Sequence, residues 1–209
     1  MLNGPVETPP GPELIRAGEP DSYRWMTPTD LLSYAEFRLL ARFTIDLCAD
    51  SRTVRFGPVI QDCFDDQSVE YAVRSVGPLV VWMNPPFGGP KRACSLDCGE
   101  QHTHNLYNFP GIQAFIARFL ELVRKHRCPG AFITESATGD LWYRNLLEQE
   151  PRLRAELLRR VKFLDPVTGK PGMQPKSGHT LWYYSPLGWG PGSRIELGDY
   201  EQGADDEKL

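Results

Sequence analysis

The stretch VVWMNPPFGGP, residues 80–90, decides the fold because it ends a buried strand in a rigid and chemically unusual way. Apolar residues run without interruption through 79–83, as expected for a strand that is covered on both faces. Pro85 and Pro86 have no backbone N–H group to donate to a neighbouring strand, so the strand must stop before them. The stretch therefore predicts a buried strand whose carboxyl end presents Asn84, two prolines and an aromatic ring.

Apolar periodicity elsewhere predicts helices that alternate with strands. Helices are predicted at 27–40, 67–76, 110–126 and 139–160, the last broken near Pro151, and strands at 43–48, 78–83, 130–135, 161–164 and 179–185. Thr27 is expected to cap the first helix. This alternation predicts an α/β fold with a mostly parallel, doubly wound sheet. Ligands bind beyond the carboxyl ends of strands in such sheets, where DLCAD and NPPF both lie.

Length and composition are those of one domain, predicted at 25–190, with polar ends. The chain has 209 residues, 41% of them hydrophobic, and no apolar run approaches the ~20 residues that span a bilayer. Residues 1–24 form a Pro- and Gly-rich arm that lacks the apolar core of a signal peptide, and residues 191–209 form an acidic tail that we expect to be disordered. Five cysteines, an odd number, argue against a disulfide framework. We therefore expect a protein that neither contacts a membrane nor is secreted. Its expected location is a reducing compartment, either the cytoplasm of a bacterium or phage-infected host or a nucleus.

The NPPF residues have the chemistry needed to hold an exocyclic amino group. The Asn84 side chain has a carbonyl acceptor, and the rigid Pro85–Pro86 backbone can point the Pro85 carbonyl outward. These two acceptors can take both N–H bonds of an amino group while Phe87 stacks on the attached ring. Drawing both protons toward acceptors frees the nitrogen lone pair for attack on a methyl group. The competing interpretation is a rigid strand-to-helix turn with a buried phenylalanine.

The ordered motifs resemble those of the phage-type DNA N6-adenine methyltransferases. The matching blocks are WMTP (25–28), FTIDLCAD (43–50), the acidic pair Asp65–Asp66 and VWMNPPFG (81–88), and the resemblance covers roughly residues 25–185. It implies a Rossmann-like class I methyltransferase fold with an antiparallel last strand. It also implies methyl transfer from S-adenosylmethionine to the N6 amino group of adenine in DNA.

The resemblance implies a set of residues around the methyl donor. Asp46 is expected to pair with the donor's ammonium group, and Asp65 or Asp66 to bind its ribose or adenine. Ala49 stands where most methyltransferases have a glycine-rich loop, so it would provide the close backbone approach. The complete donor-binding set is Trp25, Thr27, Pro28, Asp46, Cys48, Ala49, Asp65, Asp66 and Asn84.

A target base inside a duplex must be flipped out of the stack to reach such a site. Phe87 is the expected stacking platform for the flipped base. Phosphate contacts are expected from basic loop residues, namely Lys91, Arg92, Lys170 and Lys176. A further basic run at 159–162 is equally well explained as a solvated helix end. Bases would be read by the 88–109 insertion and the 165–178 loop.

The 88–109 insertion contains a cluster of metal-ligand residues. Cys94, Cys98, His102 and His104 follow each other in a C-x3-C-x3-H-x-H pattern. Zn²⁺ binds four such ligands tetrahedrally, so a structural zinc that orders this polar loop is a hypothesis. The spacing matches no common zinc finger, which favours the alternative of incidental cysteines and histidines in a mobile loop.

Four alternative functions remain open from the sequence. Adenine and cytosine amino groups present the same two donors, so N4-cytosine methylation also fits the motif. RNA and protein-glutamine methyltransferases share the NPPF motif, although the chain shows no added RNA-binding module. The last alternative is a non-catalytic nucleic-acid-binding relative, for which Asn84 would have no purpose.

Overall fold

The computed structural model describes residues 26–48, 55–58, 60, 62–87, 110–165, 168–172, 175–190 and 194–202. Within these ranges the helices are α1 (Thr29–Leu39), α2 (Asp66–Ser75), α3 (Ile112–His126) and α4 (Leu141–Gln149). The strands are β1 (Ile45–Asp46), β2 (Val81–Met83), β3 (Gly130–Glu135), β4 (Leu153–Leu158), β5 (His179–Tyr184) and β6 (Ile195–Leu197). The predicted α/β class is confirmed.

The six strands form one mixed sheet in the order β1-β2-β3-β5-β4-β6. β1, β2 and β3 are parallel neighbours, β5 is antiparallel to both β3 and β4, and β6 is parallel to β4. The carboxyl ends of β1, β2, β3, β4 and β6 therefore lie at the same edge of the sheet, together with the amino end of β5. We call this the carboxyl edge, and the opposite side the amino edge.

Helices cover both faces of the sheet, because successive strand residues point to opposite sides and both sets are apolar. Val81 and Met83 face the layer that α2, α3 and α4 form, whereas Trp82 faces α1. The main helix residues of the first layer are Val69, Ala72, Phe115, Phe119, Val123, Tyr143 and Leu147, and those of the second are Leu31, Leu32 and Ala35. None of the helices within the described ranges combines the length and apolar character needed to cross a membrane.

The connection after β3 differs from its prediction. The predicted helix at 139–160 ends as α4 before Pro151, and the residues that follow form strand β4. LRAELL has good helix formers, but pairing with β5 and β6 outweighs this local preference. The predicted strand at 161–164 is also wrong: only Leu164 makes bridges, one of them to Met26.

The acidic end of the chain contributes an edge strand. β6 pairs with β4, and Glu196 in β6 forms salt bridges with Arg38 and Arg154. These arginines neutralise a carboxylate that would otherwise favour solvent. The expected disorder is therefore wrong for the part of the tail at 194–202. The rest of the predicted tail, 191–193 and 203–209, and the predicted arm at 1–24 lie outside the described residues.

A buried carboxylate joins α1 to this part of the sheet. Glu156 on β4 is 1% exposed and accepts hydrogen bonds from the hydroxyls of Tyr183, at 2.7 Å, and Tyr34, at 2.9 Å. Arg38 lies 3.1 Å from the same carboxylate, and Tyr34 also lies 2.7 Å from Asp199. Burial raises the pKa of the Tyr183 hydroxyl, so it remains a donor. Buried charges are retained where they are paired and hydrogen-bonded in this way.

Candidate active site

The NPPF residues begin where β2 ends, as predicted. β2 is hydrogen-bonded on both sides, to β1 and β3, and all three of its residues are buried. Asn84 follows directly and is half-buried, Pro85 is buried, and Pro86 and Phe87 are half-buried. The motif therefore stands at the carboxyl edge with its functional groups partly accessible.

Asp46 lies at the end of the neighbouring strand. It is the last residue of β1, it is aligned with Trp82 of β2, and it is only 6% exposed. Its Oδ1 accepts a hydrogen bond of 3.1 Å from the backbone N–H of Cys48. Neighbouring strands lie about 4.8 Å apart, and Asn84 is two residues beyond Trp82. The structure thus brings Asp46 and Asn84 to adjacent positions on the carboxyl edge.

Cys48 adds an uncharged surface beside Asp46. Burial, a hydrogen bond with the Cys63 thiol and the nearby acidic groups raise the pKa of Cys48 well above its usual value. Its thiol is therefore protonated at neutral pH and packs like a small apolar side chain. The predicted neighbour Ala49 lies outside the described residues.

The segment before α1 is fixed at the same edge. The backbone of Met26 exchanges two hydrogen bonds with that of Leu164, at 2.8 and 2.9 Å, so this segment lies against the loop that follows β4. Thr27 is 5% exposed and Pro28 is buried. The helix cap is Pro28 and not Thr27, and no side chain caps the helix, which corrects the prediction. Trp25 is outside the described residues.

The acidic pair Asp65–Asp66 has structural partners. Asp65 caps α2 by accepting hydrogen bonds from the backbone N–H of Ser68, at 2.9 Å, and from its hydroxyl, at 2.6 Å. The bonds from Ser68 lower the pKa of the Asp65 carboxyl. Asp66 pairs with Arg118 at 2.6 Å. These contacts explain both acids without a ligand, and their binding to a methyl donor stays a prediction.

The Phe87 ring is held by two aromatic side chains that the sequence analysis did not single out. Its centroid lies 6.0 Å from that of Phe163 and 5.8 Å from that of His179, which is 2% exposed. His179 Nδ1 accepts a 3.1 Å hydrogen bond from the backbone N–H of Val161, and burial lowers the pKa of His179 to about 4. The histidine is therefore neutral at physiological pH. The sequence offered one signal for this contact, since His179 is the first residue of the strand predicted at 179–185.

A cavity of about 260 Å³ opens beside Phe87 at the carboxyl edge. Its walls come from Phe87, from the amino ends of α3 and α4, and from the end of β3. The lining residues are Phe87, Ile112, Gln113, Thr134, Glu135, Ala137, Asp140 and Trp142. Trp142 Nε1 donates to Asp140 Oδ2 at 3.1 Å, which orients that indole ring. Two aromatic rings with nearby amide and carboxylate groups suit a planar, hydrogen-bonding heterocycle.

Only part of this wall had a signal in the sequence. Glu135 ends a predicted strand and Asp140 follows it closely, so a position at the carboxyl edge was foreseeable for both. Gln113 and Trp142 are ordinary residues of helix first turns, and nothing local marks them as wall residues.

The predicted nucleic-acid contacts are only partly described. Lys170 and Lys176 are exposed in the connection between β4 and β5, which lies at the carboxyl edge. Lys91 and Arg92 lie outside the described residues, as do Cys94, Cys98, His102 and His104. Within the described ranges, no group of three or more His, Cys, Asp and Glu side chains is arranged to hold a metal ion. The zinc hypothesis concerns other residues and stays a hypothesis.

The site can also be compared with those of known proteins. Comparison with family models, with curated proteins and with solved structures finds no match to this chain.

Proposed function

We propose that this chain transfers a methyl group from S-adenosylmethionine to the N6 amino group of adenine in DNA, on a base flipped out of the duplex. The observation that carries the proposal is the position of Asn84–Phe87 beyond β2, next to the buried Asp46 at the end of β1. An amino-binding motif and a carboxylate on adjacent strand ends suit a reaction between a planar amino group and a cationic donor.

The sheet supports a Rossmann-like class I methyltransferase fold. The resemblance implies parallel strands followed by one antiparallel strand, and β5 is antiparallel to both of its neighbours. Helices lie on both faces, as a doubly wound sheet requires. β6 is an addition at the far side of the sheet from β1.

Asn84, Pro85 and Phe87 have distinct roles in the proposed reaction. The Asn84 side-chain oxygen and the Pro85 carbonyl accept the two N–H bonds of the target amino group. Phe87 stacks on the base, with its own ring held by Phe163 and His179. This arrangement orients the nitrogen lone pair for attack. The methylated nitrogen then releases one of its protons to solvent water, so no general base with a shifted pKa is needed.

The donor side depends on charge and close packing. S-adenosylmethionine, when bound, would supply an electrophilic methyl group. The Asp46 carboxylate fits the donor's ammonium group because it is buried and lies at the correct end of β1. Thr27, Pro28 and the uncharged Cys48 would provide walls around it.

The cavity beside Phe87 is the proposed place for the flipped base. Phe87 and Trp142 offer aromatic surfaces, while Gln113, Glu135 and Asp140 offer hydrogen-bonding groups. Flipping costs a few kcal/mol, which stacking and hydrogen bonds in such a pocket offset. The pocket composition suits a nucleobase better than a glutamine side chain, which has no ring to stack.

A methyl-transfer assay with labelled donor tests the reaction class. Purified protein is incubated with plasmid DNA, total RNA or a protein mixture, and the label in each polymer is counted. Transfer to DNA supports the proposal. Transfer only to RNA or protein would replace DNA as the substrate, and donor binding without transfer to any polymer would favour the non-catalytic alternative.

A further inference from the structure

A second cavity lies at the carboxyl edge, where β4 and β6 end. It has a volume of about 310 Å³ and is lined by Arg159, Arg160, Tyr200, Glu201 and Gln202. The two arginines follow β4 and the other residues follow β6. Because Arg159 and Arg160 directly follow β4, and the carboxyl ends of β4 and β2 lie at the same edge of the sheet, the two arginines lie on the same edge as Asn84.

The wall of this cavity is firmly built. The Gln202 side chain makes two hydrogen bonds with the backbone of Lys162, at 2.8 and 2.9 Å. Tyr200 is 6% exposed, donates a 3.0 Å hydrogen bond to Asp30, and packs on Tyr34 with ring centroids 5.4 Å apart. The arginines therefore face a fixed surface.

The charges of the cavity are open to an external anion. Arg159 Nη1 lies 3.7 Å from Glu201 Oε1, and these side chains are 86% and 79% exposed. Such a long, solvent-exposed pair contributes little stability, so a phosphate can replace the carboxylate. Arg160 is exposed and forms no salt bridge with any other described residue. Guanidinium groups bind phosphate through paired hydrogen bonds.

We propose that Arg159 and Arg160 bind the phosphate backbone of substrate DNA, and that Glu201 occupies Arg159 until DNA displaces it. The inference rests on the proposed function for the identity of the substrate. Phe87, the proposed stacking platform, lies 5.8 Å from His179 in β5, and β5 pairs with β4, which Arg159 and Arg160 follow. The contact therefore lies on the phosphate backbone close to the flipped base.

The first test measures how DNA binding depends on salt. The double variant Arg159→Gln/Arg160→Gln is compared with the control Arg42→Gln/Arg74→Gln. Both control arginines are exposed at the amino edge, Arg42 after α1 and Arg74 in the last turn of α2. Anisotropy of a fluorescent DNA duplex gives affinity between about 50 and 200 mM salt. Two lost phosphate contacts should lower the slope of log affinity against log salt by about 1.8 and weaken binding about tenfold or more at 0.1 M salt. Equal slopes for the two double variants would overturn the proposal.

The second test removes the charge of Glu201, which is proposed to compete with DNA for Arg159. Glu201→Gln should bind DNA more tightly than Glu148→Gln, which removes the same charge from an exposed position in the last turn of α4, at the amino edge. Equal affinities would contradict displacement of Glu201. Inorganic phosphate is titrated separately: if it binds at Arg159 and Arg160 but the DNA salt slope does not depend on them, the site is one for a free anion.

Binding and methyl transfer can fail independently. A wild-type protein that binds DNA through the two arginines but transfers no label would refute the proposed reaction and leave the backbone contact standing. A protein that methylates DNA while the Arg159→Gln/Arg160→Gln variant binds DNA like wild type would refute the backbone contact alone.

Discussion

Lowering the pH from 7 to 5 should destabilise the protein through His179. This histidine is 2% exposed, lies against Phe87 and Phe163, and accepts a hydrogen bond from the backbone N–H of Val161 at Nδ1. Nδ1 can accept that bond only while it carries no proton. Burial accordingly lowers the pKa of His179 from 6.5 to about 4.

The sign follows from which state binds the proton first. Well above pH 6.5, the pKa of the unfolded chain, His179 is neutral in both the folded and the unfolded chain, so it has no effect on the pH dependence of stability. Below that pH the unfolded chain becomes protonated while the folded chain does not, and the free energy of unfolding falls until about pH 4. The two pKa values correspond to a loss of about 3 kcal/mol at low pH, of which about 2 kcal/mol appears between pH 7 and 5.

Urea denaturation at pH 7 and pH 5 measures this loss, with His179→Gln as the comparison. The glutamine amide oxygen can still accept a hydrogen bond but does not titrate between these pH values. Carboxyls with a lowered pKa, such as those of Glu196 and Asp199, contribute stability that is lost only at more acidic pH. The wild type should lose about 2 kcal/mol more than the variant. An equal loss in both proteins would refute the assignment of a buried, neutral His179.

Three further predictions concern single side chains. Phe87→Ala should lower kcat/KM for methyl transfer by a factor that corresponds to ~1–3 kcal/mol of lost stacking. Phe87→Trp should keep its activity, and a folded but inactive tryptophan variant would count against stacking. Asp46→Asn keeps an oxygen that can accept the hydrogen bond from the backbone N–H of Cys48 but removes the negative charge. Calorimetry should therefore show at least tenfold weaker binding of the methyl donor, with an unchanged melting temperature. An unchanged affinity would place the donor's ammonium group elsewhere. Glu156→Gln should lower the free energy of unfolding by ~1–3 kcal/mol in urea, because it removes the charge from a buried carboxylate that accepts hydrogen bonds from Tyr34 and Tyr183. The exposed control Glu148→Gln should have little effect, and equal effects would show that the charge on Glu156 is not stabilising.

Local signals predicted the parts of the fold that local forces determine. The end of β2 was predictable because two prolines cannot continue a strand, and α3 because its apolar residues recur at helical spacing. The proximity of Asp46 and Asn84 was also predictable, since the ends of parallel strands meet at one edge of a sheet.

Long-range partners determine the parts of the fold that no local signal in the sequence reveals. β4 has the composition of a helix and is a strand because β5 and β6 pair with it on both sides. Glu196 is ordered because Arg38 and Arg154, distant in sequence, neutralise it. Phe163 reaches Phe87 only through the packing of an irregular loop, which leaves no periodic pattern in the sequence.

Mass spectrometry of nucleosides from DNA incubated with labelled S-adenosylmethionine tests the central claim most directly. Wild-type protein should produce N6-methyladenine. Asn84→Ala should produce none while it keeps its circular dichroism spectrum and its donor affinity, because Asn84 acts on the target amino group. N4-methylcytosine would change the target base. No labelled nucleoside from the wild type, or equal labelling by Asn84→Ala, would contradict the proposed reaction.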